Sequence, residues 1–287
     1  MKHPFLMAVL TFFCAFSQYT FAQDAATTPE KYTAHNKGKF FISWGGNRDN
    51  YTKSDIHFKG DGYDFTVNDV KAHDKGKGYH VDYINPARMT IPQTNFKIGY
   101  FISDHYNVSI GVDHMKYVMS QNQMANVSGE INLPESEPGH IHNGSYNNTP
   151  TRMTDDFLKF EHTDGLNYVN IQVNRFDDIS SWFGLPNTDK FQINLTEGIG
   201  AGILYPKTNA TLLSKERHDD FHISGYGLSA QVGLNFTFFK YFYIQGDLKG
   251  GYINMNDIKT TSSNADSASQ HFGFLQRIVS VGGIFRL

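Results

Sequence analysis

Two residues of catalytic type, His222 and Ser224, stand two positions apart in the sequence. On an extended strand the side chains at i and i+2 point to the same face, so the imidazole and the hydroxyl could meet as a base and a nucleophile. The base also needs an acid, for which the candidates are Asp219, Asp220 and Asp247. Because no complete catalytic set is present, we expect both side chains to be hydrated residues at a strand end, and we predict that the chain is not an enzyme.

A second group of chemically active residues is His140-Ile141-His142, with Glu135 and Glu137 close by. Imidazoles and carboxylates are zinc ligands, but zinc sites need three or four ligands in a fixed geometry. A His-x-His pair after Pro138-Gly139 in a polar loop is more typical of solvated histidines. We therefore predict no metal site and no cofactor.

The elements that position these residues are long strands with alternating character. From 222 to 253 the sequence contains two such runs joined by a tight turn, with apolar residues on one face and glycines, amides and charges on the other. Sixteen residues of strand span roughly 53 Å, or about 37 Å along a membrane normal at a tilt of 45°. That length crosses an apolar band about 25 Å tall, which predicts a hairpin of a membrane β-barrel.

The same alternation predicts an all-β chain that forms a closed antiparallel transmembrane β-barrel of eight strands. The predicted strands are 39–47, 94–103, a strand around 108–112, 156–175, 190–204, the two runs within 222–253, and 270–287. Short turns alternate with long polar connections, as expected for periplasmic turns and extracellular loops. A ten-stranded barrel is the alternative, in which the fourth strand splits at Asp164-Gly165 and 56–70 adds a hairpin.

The N-terminus predicts export. Residues 1–22 have the charged start, apolar run and small-x-small ending of a signal peptide, which leaves a short periplasmic segment, 23–38, before a barrel domain, 39–287. Cys14 is the single cysteine of the chain, so a mature protein cut after Ala22 would form no internal disulfide. The net charge of −3 gives no electrostatic reason to expect nucleic acid as a partner.

Two sets of residues follow from the predicted faces. The inward face should carry a polar network in which opposite charges pair, because an unpaired buried charge is costly; a narrow channel is the alternative. This lumen network comprises Lys97, Asp113, His162, Asp164, Asp247 and Lys249. Aromatic residues near the short turns should form a girdle at the membrane interface. The girdle comprises Tyr100, Phe236, Phe238, Tyr241 and Phe242.

The two longest predicted loops, 48–93 and 120–155, are rich in polar residues, and the first mixes acids, bases and tyrosines. Mixed charge of this kind is typical of a solvated surface. Interspersed aromatic residues also make these loops the best candidate surface for a glycan, lipopolysaccharide or a protein partner.

Taken together, the signal peptide, the alternating strands, the short turns and the aromatic-ended final strand resemble the small outer-membrane barrels of the OmpA/OmpX type. The tyrosine-rich segments YTKSDIHFKGDGYDFTVNDV and NFKIGYFISDHYNVSIGVDHMKYVM resemble the porin-like barrels of the Bacteroidota. The resemblance implies a Gram-negative outer-membrane location, contact with outer-membrane lipid and with the barrel-assembly machinery, and a structural or surface-binding role. His222-x-Ser224 also resembles the pair of the outer-membrane lipid A deacylases, but this chain has Phe236 where that family has its acid, so a lipid-modifying hydrolase is the second alternative after a channel.

Overall fold

The computed structural model describes residues 35–78, 80, 82, 92–185, 188–216, 218 and 220–287. The predicted signal peptide, 1–22, and most of the segment 23–38 lie outside these residues, so both stay predictions. The described residues form fourteen strands: β1 Phe40–Tyr51, β2 Ser54–Gly60, β3 Tyr63–Val70, β4 Ala72–His73, β5 Thr94–Phe101, β6 Tyr106–Met119, β7 Met124–Ile131, β8 Gly144–Arg152, β9 Leu158–Asp178, β10 Phe191–Leu204, β11 Asn209–Leu212, β12 Gly225–Phe238, β13 Phe242–Lys259 and β14 Ser267–Phe285.

Eight of these strands close into an antiparallel ring in the order β1-β5-β6-β9-β10-β12-β13-β14, with β14 pairing back to β1. The stagger of the ring is seen by following paired residues from strand to strand, starting at Asp49 of β1. After one circuit the pairing returns to β1 at Lys39, ten residues nearer the N-terminus. A stagger of this kind requires the strands to tilt against the barrel axis, typically by about 35–45°. The prediction of eight strands is confirmed, and the ten-stranded alternative is wrong.

The turn between β12 and β13 consists of three residues, Phe239–Tyr241. Phe239 and Lys240 both have positive φ, 53° and 70°, and the Tyr241 N–H donates to the Phe238 carbonyl at 3.1 Å. Tight hairpin turns use this left-handed geometry because its twist matches the twist of the flanking strands. The turn fixes the register from Phe238 opposite Phe242 up to Gly225 opposite Met255.

At the opposite end of the barrel, the long connections fold into additional β-structure. β2 extends the sheet from β14 and is followed by β3, β7 and β8, while β4 pairs with β6 and β11 pairs with β9. We call these six strands the cap. Residues 48–93 and 120–155 are therefore not simply solvated loops: Phe58, Phe65 and Val127 are almost completely buried in one hydrophobic cluster with residues at the top of the barrel.

The alternation in β2 and β3 explains why the cap folds. Ile56 and Phe58 face inward between Asp55, His57 and Lys59, so one face of each strand is apolar and the other is charged. The predicted hairpin at 56–70 exists, but it pairs outside the ring. The many charged residues of this segment suggest a surface loop, whereas the alternation of apolar and polar residues indicates strands with one buried face.

The barrel is narrowed at the end with short turns by a separate apolar cluster. This cluster comprises Phe41, Phe101, Phe176, Tyr243 and Ile284. A short 3₁₀-helix, Ser180–Phe183, lies in the connection between β9 and β10 at this end. Among the residues described, no helix is both long and apolar enough to cross a bilayer.

Candidate functional site

The centre of the lumen holds a buried ion pair between β6 and β13. Lys249 Nζ donates to Asp113 Oδ2, and both side chains are 0% exposed. Two amides complete the shell of the carboxylate, since Asn95 Nδ2 donates to Oδ1 at 2.6 Å and Asn170 Nδ2 donates to Oδ2 at 3.2 Å. The Lys249 ammonium also lies 5.0 Å from the centroid of the Tyr168 ring. Both charges are therefore held by protein groups rather than by water.

A second pair of opposite charges, Lys97 and Asp247, lines the lumen nearer the short turns. Lys97 Nζ donates to Gln231 Oε1 at 3.0 Å. Asp247 accepts from Gln245 Nε2 at 2.8 Å and 3.0 Å and from Thr196 Oγ1 at 3.4 Å. Both residues line a cavity of about 40 Å³, which has room for a few water molecules.

The two remaining residues of the predicted network lie elsewhere. His162 is completely buried at the top of the barrel, where its ring contacts Thr208 Oγ1 at 2.9 Å and Gln270 Oε1 at 3.4 Å. Asp164 was wrongly placed in the lumen: it is exposed, and its carboxylate lies 4.0 Å from Lys207 Nζ. β9 has three residues between its pairings with Met115 and Tyr117 of β6, and this bulge, which includes Gly165 at φ +143°, turns Asp164 outward.

A further polar cluster, which the sequence analysis did not identify, lies at the extracellular end of the lumen. Gln93 Nε2 lies 2.9 Å from Asp49 Oδ2 and 3.2 Å from Asn47 Oδ1, and it also contacts Asp74 Oδ1. The four residues come from β1, from the segment after β4 and from the segment before β5. Asn47 and Asp49 fall on the inward face by alternation, which is a usable sequence signal. Asp74 and Gln93 carry no such signal, because pairing of β4 with β6 brings Asp74 to this place.

A charged cluster centred on Asp266, which is 2% exposed, lies against the cap strand β3. Asp266 Oδ2 accepts from Thr261 Oγ1 at 2.7 Å and from Lys215 Nζ at 3.1 Å. The Lys215 ammonium lies 4.9 Å from the centroid of the Tyr63 ring. Burial alone would raise the pKa of Asp266, but the hydrogen bonds from Thr261 and Lys215 outweigh it and lower the pKa below the usual value. Burial also raises the pKa of Tyr63.

The outer face of the barrel is a continuous apolar belt. On β12 its exposed members include Leu228, Val232 and Leu234, and on β14 they include Val279 and Val281. An apolar surface that surrounds a whole protein is not stable in water, whereas an apolar band closed around a barrel matches the hydrocarbon layer of a membrane. A sheet closed on itself leaves no unpaired edge within that layer.

Aromatic side chains border the belt at the end with short turns. Tyr100, Tyr241 and Phe242 are 41%, 65% and 47% exposed, and Phe236 and Phe238 lie on the same outer face. Their rings contact neighbours across strands, with Tyr100 4.9 Å from Phe40, Phe236 stacked on Phe191, and Phe238 beside Phe242. All five residues therefore lie on the outer face near the short turns, and rings are enriched at this edge of membrane barrels.

The chain is an eight-stranded transmembrane β-barrel. This ring fits a fold of the OmpA/OmpX type, while the resemblance to Bacteroidota proteins stays a prediction. No protein-family description matches the sequence, and no curated protein matches it.

Solved structures with a similar fold include small outer-membrane barrels from two bacteria. The attachment invasion locus protein Ail of Yersinia pestis is 13% identical, with 87% of this chain and 99% of that chain covered and a TM-score of 0.34. OprG of Pseudomonas aeruginosa is 10% identical, with 89% and 100% covered and a TM-score of 0.36. The N-terminal barrel of OprF from the same bacterium is 9% identical, with 87% and 98% covered and a TM-score of 0.27. At these identities the likeness concerns the fold alone.

The structure separates the histidine and the serine that the spacing had suggested as a catalytic pair. Ser224 is 2% exposed, and its hydroxyl donates to the His222 backbone carbonyl at 3.4 Å rather than to the ring. The His222 ring instead contacts Asp257 Oδ2 through Nε2 at 2.7 Å. Of the three acids proposed from the sequence, Asp247 lies in the lumen, and Asp219 is outside the described residues. Residues 222–224 precede β12, so the strand geometry assumed for the pair does not apply.

The His-x-His segment forms a short 3₁₀-helix, Pro138–His142, between β7 and β8. His140 Nδ1 lies 2.7 Å from the backbone carbonyl of Glu137, and His142 Nε2 lies 3.1 Å from Asp156 Oδ2. The two rings thus have different partners. Within the described ranges, no three His, Cys, Asp or Glu side chains are grouped as metal ligands.

Proposed function

We propose that this chain is a non-enzymatic outer-membrane barrel that binds lipopolysaccharide at the cell surface. The observation that carries the proposal is the folded cap, a β-structure with its own hydrophobic core on top of a barrel whose lumen is filled by side chains. A rigid surface built on paired strands binds a partner at a smaller entropic cost than mobile loops do. The predicted loops 48–93 and 120–155 supply most of this surface.

Two arginines at the upper edge of the belt support binding of the lipid phosphates. Arg48 on β1 and Arg277 on β14 are directly opposite each other, and both face outward. Like charges that face each other across strands destabilise a sheet, and an anion between them removes that cost. Arg277 donates to Asn50 Oδ1 at 3.0 Å, which holds its guanidinium at the edge of the belt. Guanidinium groups bind phosphate oxygens in pairs.

The outermost strand of the cap, β8, supports binding of the sugars. Asn147, Asn148 and Thr149 on this strand are exposed, and amides and hydroxyls both donate to and accept from sugar hydroxyls. Pro150 follows them and lacks an N–H group, which discourages pairing with another strand. The strand therefore favours a saccharide over an added β-strand.

The experiment uses the purified chain in detergent, titrated with fluorescent lipid A and with full-length lipopolysaccharide. Arg277→Gln should weaken binding of both ligands about fivefold, since one basic residue near an anionic lipid surface contributes about 1 kcal/mol. Arg286→Gln is the matched control, because this exposed arginine lies at the opposite end of the barrel and donates to the Lys37 carbonyl. Equal weakening by both variants would contradict the phosphate site.

The sugar contact is tested separately. Asn147→Ala combined with Asn148→Ala should weaken binding of the full-length lipopolysaccharide and leave lipid A unchanged, because lipid A has no long polysaccharide. Loss of both ligands together would mean that the cap had unfolded, which a protease digest would show.

A narrow channel is the second candidate, and the cavity beside Lys97 and Asp247 is the observation that favours it. The ion pair above this cavity and the apolar cluster below it oppose conduction. In planar bilayers we expect no stepwise current. Reproducible ohmic current steps that change on Lys97→Ala would mean that the barrel functions as a channel rather than in binding.

A further inference from the structure

The polar cluster at the extracellular end of the lumen contains more acceptors than its donors can satisfy. Gln93 Nε2 meets three oxygens, those of Asn47, Asp49 and Asp74, although an amide nitrogen carries only two hydrogens. Asp74 is held in place by its second oxygen, which accepts the Asp49 backbone N–H at 3.1 Å. Asp49 Oδ1 and Gln93 Oε1 are buried and make no hydrogen bond.

The cluster also contains more negative than positive charge. Asp49 and Asp74 both approach one neutral amide, and within the described part of the chain neither carboxylate has an ion-pair partner. The ammonium of Lys249, further down the same lumen, is already bound to Asp113. Two carboxylates that share a site oppose each other's ionisation unless a cation joins them.

Three residues of the cluster are buried and the fourth reaches solvent. Gln93 is 0% exposed, and Asn47 and Asp49 are 2% exposed, whereas Asp74 is only partly buried. Asp74 is therefore the residue through which the cluster meets solvent. Water can complete the coordination of a cation there.

We propose that Asn47, Asp49, Asp74 and Gln93 form a binding site for a divalent cation of the Ca²⁺ class. A 180° rotation of the Gln93 amide places Oε1 where Nε2 lies, and oxygens of all four side chains then surround one position. Ca²⁺ takes six to eight oxygen ligands from carboxylates, amides and water at about 2.3–2.6 Å. The position of Gln93 Nε2, which Oε1 would take, lies 3.2 Å from Asn47 Oδ1 and 2.9 Å from Asp49 Oδ2. Neighbouring ligand oxygens around one such ion are separated by about 3 Å, so the spacing of these side chains suits the ion.

The bound ion has a structural consequence. It joins β1, where the long connection 52–93 leaves the barrel, to the segment before β5, where the connection re-enters it, and to Asp74 in the middle of the connection. Binding to the folded state alone stabilises that state by mass action. The ion therefore fixes the base of the cap to the barrel wall.

The test uses the full chain, refolded without lipopolysaccharide in detergent and freed of metal, with TbCl₃ and CaCl₂ as probes. Tb³⁺ luminescence excited through tyrosine should rise to saturation, because Tyr51 lies two residues from Asp49 on the same inward face. Ca²⁺ should displace Tb³⁺ with a dissociation constant of about 10⁻⁴–10⁻³ M, as in extracellular Ca²⁺ sites. Asp74→Asn should raise that constant at least about tenfold, while Asp155→Asn, which changes an exposed carboxylate, should leave it unchanged.

Thermal unfolding provides a second measurement of Ca²⁺ binding that does not depend on luminescence. Ca²⁺ should raise the thermal unfolding midpoint of the unaltered chain and of Asp155→Asn, and should leave that of Asp74→Asn unchanged. Heat-modifiable gel mobility verifies that each variant is folded. Absence of saturation below about 10 mM Ca²⁺, or an equal response of Asp74→Asn and Asp155→Asn, would overturn the site.

Discussion

Replacement of Lys249 by methionine should destabilise the barrel by about 3 kcal/mol. Removal of one partner from a buried ion pair costs about 3–5 kcal/mol, because the other charge remains without compensation. Here the remaining carboxylate, Asp113, keeps hydrogen bonds from Asn95 at 2.6 Å and Asn170 at 3.2 Å. These two donors place the expected loss at the lower end of the range. Methionine has a similar length, so no large cavity forms.

The reverse change, Asp113→Asn, should cost a similar amount. Lys249 would then keep its charge without the Asp113 carboxylate beside it, and the Tyr168 ring at 5.0 Å and the more distant Asp247 replace that partner only in part. The double variant Lys249→Met/Asp113→Asn carries no charge at the site and retains an oxygen that can face the amide of Asn95. We expect it to lose no more than either single variant, so the two changes should be non-additive by about 3 kcal/mol.

The assay is urea unfolding from lipid vesicles, followed by tryptophan emission and by the heat-modifiable gel shift. Lys240→Met is the control, because the Lys240–Asp189 pair at 2.8 Å is largely exposed and should contribute less than about 1 kcal/mol. A loss below about 1 kcal/mol for Lys249→Met would refute the reasoning. It would show that water enters the lumen and solvates Asp113, which would also favour the channel.

Three further predictions concern the belt and the cap. A fluorescent label at position 232 should be quenched by lipid-soluble quenchers and one at 231 should not, since Val232 is 38% exposed on the outer face and Gln231 is 5% exposed in the lumen; equal quenching would contradict the barrel orientation. The lowered pKa of Asp266 means that its contacts with Lys215 stabilise the cap at pH values above the ordinary carboxyl pKa of about 4. Protection of the cap against protease should therefore be lost as the pH falls below that value. Protection that stays constant down to a pH of about 2 would exclude this role. Phe65→Ala should destabilise the cap by about 3–5 kcal/mol while the gel shift of the barrel persists, and a simultaneous loss of both would show that cap and barrel unfold together.

The membrane part of the fold could be predicted from the sequence because the alternation of apolar and polar residues is visible within each strand. Each barrel strand has one apolar and one polar face, and in all ring strands except β5 a length above ten residues distinguishes the strand from those of soluble sheets. For the same reason Lys97, Asp113, Asp247 and Lys249 were assigned to the lumen from alternation alone. That two of them form an ion pair follows from the stagger of the ring, which brings β6 and β13 into contact across the lumen.

The cap was not accessible in the same way. Its strands are short, its charges suggest a loop, and its pairings join residues far apart in the chain, such as Ser267 with Lys59 and Tyr63 with Ile131. A strand whose partner is unknown cannot be assigned a buried face, because a shift of one residue reverses the faces. The bulge that includes Gly165 and turns Asp164 outward is likewise a feature of the pairing between β6 and β9, which no single strand records.

The sequence by itself determined the class of fold and the two faces of the wall, because these depend on residues that are neighbours along one strand. The structure decided between eight and ten ring strands. Only the tertiary structure decided how the wall closes, which charges pair, and where Asp74 and Gln93 meet Asn47 and Asp49. These contacts depend on the stagger of the barrel and on the path of the long connections. Both arise from packing of many residues at once, and no local pattern records them.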